Sequence, residues 1–427
     1  MKLFKSRTTT FVMYYLVLLL VFVSWQNYDS VPSGALRIAY LLALVVPLYF
    51  VNVRAFPAII TLFFTISMFG FTTSYMPARY YTYIAATAIA VLISMRQPHQ
   101  KVPLSVVLLF LIVTVVNLMY ELSWEYVSSA FVLLLMFFLI VDKNYEEQST
   151  LFTYTFIVSS LVLSLYYIII GPRFLLDYRV SEGLERIGFA DINYGGTVVG
   201  MGMFAAFVER MKNKHVPLLL RIIIDITIAL STVSLVMNAS RGAVLAVSAA
   251  VAVLLVFSKI KPGYKFLYIV LLSAFLIFIY SKGYMDLLLY RVENDELGGG
   301  SGRADIWQIK LDSFFTEATP YEWIMGMGFT GGRHLGWGSD QRAFHNDFLA
   351  FMVNYGLIGL TLFIAFFLKP LRNIEINKSF IYAGMAFLFV ACMTLEPFTA
   401  GRLPFFVFWF YLLQLSKSNQ IAFGKNV

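Results

Sequence analysis

Uncharged apolar runs of 15 to 20 residues recur from one end of this 427-residue chain to the other, and they limit its fold more than any other feature. Each run is long enough to cross about 30 Å of hydrocarbon as a helix. Lipid offers peptide groups no partners, so unpaired backbone and open sheet edges are forbidden there. The composition agrees, with 59% hydrophobic and only 13% charged residues, where a soluble domain carries about 25% charged. The chain is therefore expected to be an all-α polytopic membrane protein.

Fourteen spans can be placed, near residues 10–27, 35–52, 56–72, 79–95, 103–120, 126–141, 151–171, 194–209, 216–237, 241–257, 265–281, 346–368, 379–395 and 403–416. The first run follows Lys2, Lys5 and Arg7 as in a signal peptide, but no small-residue cleavage site follows it, which favours a retained helix. The positive-inside rule tests the count. With the N-terminus in the cytoplasm, lysine and arginine crowd the inner segments, among them Arg210, Lys212, Lys214, Lys259, Lys261, Lys369, Arg372 and Lys378. The short outer segments hold only Arg37, Arg79, Arg241 and Arg402. Both termini are then cytoplasmic. This topology accounts for the net charge of +8, so no nucleic acid is invoked.

Four segments follow: residues 1–171 with helices 1 to 7, 172–281 with a basic outer loop and helices 8 to 11, 282–345 as a large outer loop, and 346–427 with helices 12 to 14 and the tail. The two long outer loops are basic, against the rule. One holds Arg173, Arg179 and Arg186; the other holds Arg291, Arg303, Lys310, Arg333 and Arg342, with His334 and His345. The larger loop carries tryptophans and an amphipathic stretch, "RADIWQIKLDSFF", so part of it is expected to be ordered. Its glycines, "GGGSG" at 298–302 and "GMGFTGG" at 326–332, suit either hinges and close approaches or plain turns.

Clustered outward arginines suit an anionic ligand, because the guanidinium fork matches phosphate oxygens and stays charged. The alternative is solvated loop charge. Arg241 opens a span as "SRGA", where the helix dipole already favours anions; an ion pair with Asp or Glu is its alternative. His345 sits where the large loop meets an apolar run and can serve as a proton acceptor or merely as an interfacial residue. Arg221 and Asp225, four apart, read as an ion pair, and Glu396 as a partner for an arginine such as Arg402. Cys392, the single cysteine, excludes an internal disulfide and reads as core. No HExxH, paired Cys/His spacing, P-loop or strand-associated GxGxxG occurs, so neither a metal nor a nucleotide cofactor is expected.

The stretch "HNDFLAFMVNYGLIG" fits the pattern H-[NSQ]-x9-G-x-x-[GTY] and resembles O-antigen ligases and Wzy-type polysaccharide polymerases. His345, Asn346, Gly356 and Gly359 take its fixed positions. "NASRGAVLAV" at 238–247, "GRADIWQ" through "GMGF" at 302–329 and "RIGFADINYGG" at 186–196 resemble the family's other motifs, with Ile192-Asn193 where Pro-Asn is common. The resemblance implies a GT-C-type fold and a metal-independent, cofactor-free, inverting glycosyltransferase of the bacterial cytoplasmic (inner) membrane, acting at its outer face. It implies an undecaprenyl-diphosphate-linked oligosaccharide as donor and a glycan as acceptor, with a chain-length regulator and a flippase as companions. Carried over by position, Arg186, Arg241 and Arg303 bind the diphosphate and Arg303 also aids catalysis. His345 is then the base, and Asn346, Gly356 and Gly359 support it, the glycines by letting the helix pack closely. A polymerase of surface polysaccharide is the first expectation and a ligase the second. A flippase or transporter would call for inverted repeats and polar groups at mid-membrane, whereas the polar groups here gather in two loops on one side.

Overall fold

The computed structural model describes residues 104–120, 152–165, 167–169, 192–212, 216–237, 240–258, 261–282, 303–336, 343–372, 378–399 and 403–417, with Leu16 and Ile374. The helices are α1 (Leu104–Tyr120), α2 (Phe152–Ile169), α3 (Ile192–Lys212), α4 (Leu218–Met237), α5 (Arg241–Phe257), α6 (Pro262–Ser281), α7 (Arg303–Glu317), α8 (Pro320–Met325), α9 (Gly328–His334), α10 (Asp347–Phe367), α11 (Lys378–Thr394) and α12 (Leu403–Lys417). Among the described residues there is no strand. Among the described residues, three helices, α2, α4 and α10, are long and apolar enough to cross a membrane. Each expected span from 103–120 onward meets a helix within a few residues, except 126–141. That span and the four at 10–27, 35–52, 56–72 and 79–95 lie outside the described residues, apart from Leu16.

In lipid, helices gain little from hiding apolar surface from one another, so close backbone approach and buried hydroxyls do the joining. On α2, the Ser160 hydroxyl donates to the Val199 carbonyl of α3 at 2.8 Å and lies 2.8 Å from the Ser231 hydroxyl of α4. Gly202 of α3 leaves the room, since a methyl group there would collide with Ser160. Aromatic rings fill the rest. Phe366 of α10 stacks on Trp409 of α12 at 4.0 Å, and the Trp409 indole N–H donates to the Phe367 carbonyl at 3.1 Å. α12 is buried along its length, whereas α4 and α6 present wide apolar faces outward.

At one end of this bundle, α3 and α4 are pinned by an ion pair, Arg210 Nε to Asp225 Oδ1 at 2.9 Å. The expected partner, Arg221, is exposed on α4, and Asp225 turns instead to the neighbouring helix. The i, i+4 spacing allowed the intrahelical pair, but Arg210 at the end of α3 reaches Asp225 across the helix contact.

The large loop is folded where described. Ile306, Lys310 and Phe314 follow one another at four-residue intervals on the buried face of α7. α8 begins with a capping box in which the Thr319 side chain accepts from the Glu322 N–H and Glu322 returns to the Thr319 N–H at 2.8 Å. Helices α8 and α9 lie against α10, and α9 also meets the end of α1. This brings the loop over the start of α10.

Candidate functional site

His345 stands at the turn from the extended 343–346 segment into α10. It is the sole non-glycine with a left-handed backbone among the described residues, with φ of 53°. That conformation costs an L-residue about 1–2 kcal/mol, so the surroundings must impose it. They do so from three directions. Asn346, the N-cap of α10, accepts from the N–H groups of Phe348 at 3.0 Å and Leu349 at 3.2 Å. The His345 N–H donates to Glu396 Oε1 at 2.6 Å. On the preceding residue, the Phe344 carbonyl accepts from the Trp307 indole N–H at 2.6 Å. The His345 residue itself is half-buried.

Glu396 lies just beyond α11 and is almost wholly buried. Burial pushes its carboxyl above the ordinary range, and the Arg333 charge and the His345 N–H pull the other way. Asp347, two residues after His345 and fully buried, anchors the opposite side of the same turn. Its carboxylate accepts from the N–H groups of Phe398 at 3.0 Å and Thr399 at 2.8 Å, and from the Thr399 hydroxyl at 2.8 Å. The 395–399 turn and the start of α10 are thus locked by two carboxylates, Glu396 reaching one way and Asp347 the other.

Arg303 opens α7, and Trp307 lies one helical turn on, on the same face. The indole that grips Phe344 therefore fixes the helix carrying Arg303 beside His345. Arg241 opens α5 directly after its N-cap Ser240, whose hydroxyl accepts from the Ala243 N–H at 3.4 Å. The next residue, Gly242, lies so close to Thr394 that a methyl group would come within 2.8 Å of its hydroxyl. Thr394 is two residues from Glu396. The start of α5, which Arg241 opens, and His345 thus both meet the end of α11, and Trp307 ties α7, which Arg303 opens, to the residue before His345. Arg186 lies outside the described residues. Its motif reaches the same place through Asn193, whose Oδ1 accepts from the Ser240 hydroxyl at 3.0 Å. Arg291, Arg342 and Arg402 also lie outside the described residues.

Ten residues into α10 the helix breaks at Gly356, with φ of 65° and ψ of −168°. The break frees the Val353 carbonyl, and the Met327 N–H takes it at 2.9 Å. Gly326, at φ of 87°, and Gly356 make this crossing possible. A methyl on Gly326 would run into the Asn354 and Tyr355 backbone, and one on Gly356 into the backbone of Ile324 and Met325. The neighbour that Gly356 admits is thus the loop itself rather than another membrane helix. The space above Gly359 is filled by Tyr355 of its own helix. Further along, the Phe329 N–H donates to Asn117 Oδ1 of α1 at 3.0 Å, and Asn117 donates in turn to the Tyr355 hydroxyl at 3.2 Å.

Two participants escaped the sequence reading. Lys310 counted as loop charge, yet it is fully buried. Asp347 was not singled out, yet it binds the 398–399 backbone. The available signal was positional: Lys310 continues the apolar face of Ile306 and Phe314, where a solvated lysine does not belong.

Residues 226–364, about a third of the chain, match the family model described as O-antigen ligase. This stretch is similar to the O-antigen ligase family. The family segment holds Arg241, Arg303, His345, Asn346, Gly356 and Gly359, while Arg186 and Glu396 lie outside it. No curated protein matches the chain.

Proposed function

We propose that the chain is a glycosyltransferase of the bacterial cytoplasmic membrane that polymerises repeat units of a surface polysaccharide. The donor glycan is carried on undecaprenyl diphosphate and the acceptor is a sugar hydroxyl at the outer face. The observation that carries this reading is His345, held in a strained backbone by Glu396 and Trp307 inside an O-antigen ligase-family segment. Strain kept in place by surrounding bonds is characteristic of working sites.

In this reaction the acceptor oxygen attacks the anomeric carbon while His345 takes the hydroxyl proton. The bond from that carbon to the diphosphate oxygen breaks on the opposite side, which inverts the centre. The diphosphate leaves with the electron pair, and Arg186, Arg241 and Arg303 offset its charge without metal or cofactor. Asn346 and Gly356 support the reading by fixing the start of α10 and the loop that crosses it, with Gly359 beside them. Fourteen spans with both termini inside would place these groups outside, on a GT-C-type scaffold. A chain-length regulator and a flippase are the companions this role calls for.

A second reading is favoured by the description of the matched family: a ligase moving the finished glycan to lipid A-core or another acceptor. The test is incubation of the purified chain in lipid with an undecaprenyl-diphosphate-linked repeat unit, followed by gel separation. A ladder supports the polymerase, a single transfer to a different acceptor supports the ligase, and no new glycosidic bond refutes both.

A further inference from the structure

Lys310 presents a problem that His345 and the arginines do not. Its side chain is fully buried in α7, where leucine or methionine would fill the same space without removing a charge from water. Three elements compensate that charge. The ammonium donates to the carbonyls of Gly332 at 2.6 Å and Arg333 at 3.0 Å, at the end of α9. It lies 4.5 Å above the ring of Phe344. It is also attracted to Glu396, just past α11, while Arg333 opposes it.

Two of these contacts, Phe344 and Glu396, lead to the same short piece of backbone. Phe344 precedes His345, and Glu396 holds the His345 N–H and receives a backbone hydrogen bond from Phe344 as well. Gly332 lies against Asn354 on α10, and α7 begins with Arg303. An uncharged side chain would leave Glu396 buried with less to keep it ionised, and it would leave two helix-end carbonyls open.

We infer that Lys310 is a positioning residue of the transfer site, whose buried ammonium ties the end of α9 to Phe344 and so fixes the His345 backbone relative to Arg303. This inference rests on the transferase reading for its effect on rate, but not for its effect on the backbone. Burial lowers the Lys310 ammonium to about 8. Its charge, and the grip it maintains, is therefore present below about pH 8 and fades above. Linkage gives stability the opposite sign. A lysine whose folded value lies below the ordinary 10.5 is disfavoured as a cation in the fold, so its own contribution to stability rises between about 8 and 10.5. The charged groups facing it are Glu396 and Arg333, and the Glu396 value is raised by burial.

The experiment compares the wild-type chain, Lys310→Met and Lys310→Arg, all in lipid. The donor is undecaprenyl-diphosphate-linked oligosaccharide extracted from cells lacking the chain. Transfer rates are taken from pH 6.5 to 9.5, with amide hydrogen exchange of the 343–349 peptide at pH 7. The wild type is expected to lose kcat above about pH 8. For Lys310→Met the expected kcat at pH 7 is lower by ~10-fold or more, with KM within about threefold, no alkaline step and faster exchange at 343–349, because small displacements of reacting groups are expensive in rate. Lys310→Arg keeps its charge and should recover part of the rate without the alkaline step. A flat wild-type profile, or wild-type kcat or unchanged exchange in Lys310→Met, overturns the inference. Should Lys310→Met fail to insert, the wild-type profile and Lys310→Arg decide. Should the wild type transfer nothing, the transferase reading falls, and the exchange measurement alone decides whether Lys310 holds the His345 backbone.

Discussion

The Arg210–Asp225 pair and the cluster beside His345 treat charge in opposite ways, although Glu209, next to Arg210, is buried too and accepts from the Tyr154 hydroxyl. At one end, Arg210 and Asp225 meet across α3 and α4 with their side chains 38% and 51% exposed, so water shares the load. At the other end, Lys310, Asp347 and Glu396 are buried and bound to backbone groups of neighbouring elements. An exposed ion pair is worth about 0–1 kcal/mol and is easily gained or lost. A buried charge carries a desolvation penalty of several kcal/mol per ion, reduced only by well-placed partners. Three such groups gather around one strained histidine, and that is where the proposed transfer chemistry is placed.

The comparison can be broken most directly at the histidine. His345→Ala and Arg303→Ala should each lower transfer by about 10²-fold or more while the protein remains inserted and folded. Wild-type transfer in either, measured by the product ladder, would remove that residue from its role. Next comes Gly356→Val, which sets a branched side chain into the Ile324–Met325 backbone at a left-handed position. It should reduce thermal stability by about 2–4 kcal/mol and abolish transfer together, as read from Tm and activity in the same preparation.

Glu396→Gln sharpens the contrast through pH. The carboxyl is raised in the folded state, so its contribution to stability is fully present below the ordinary value near 4.5 and is lost as pH rises through the folded value. The Tm of Glu396→Gln minus that of the wild type should therefore increase from pH 4.5 toward neutrality, and a difference independent of pH would contradict the burial of a titrating group there. The smallest effect is expected at the opposite end, where Asp225→Ala should change stability by less than about 1 kcal/mol and leave transfer unaltered. A large loss of transfer in that variant would end the distinction between the two ends.

Where the sequence was informative, a single physical signal dominated. Span edges such as 241–257 and 403–416 emerge within a residue or so because apolar length is set by the membrane and polar residues mark where it stops. The site was legible in part, because His345, Arg241 and Arg303 carry motif spacing. What joins them was not. Glu396 reaches back 51 residues to His345, and Asn117 reaches forward 212 to Phe329. Such partnerships depend on how helices are placed in space, which no local pattern encodes. The Arg221–Asp225 pair shows the same limit in reverse, since correct spacing on one helix lost to an arginine on the helix before it.

The bond between the Met327 N–H and the Val353 carbonyl bears on how this molecule is assembled. The carbonyl is left open by a break inside an apolar helix, where no water stands ready to occupy it. Its donor belongs to a segment made earlier in synthesis, on the far side of the chain's next crossing. Helix α10 therefore cannot be completed as an independent rod and fitted afterwards. The helix and the preceding loop are completed by one shared bond, so that neither surface closes without the other.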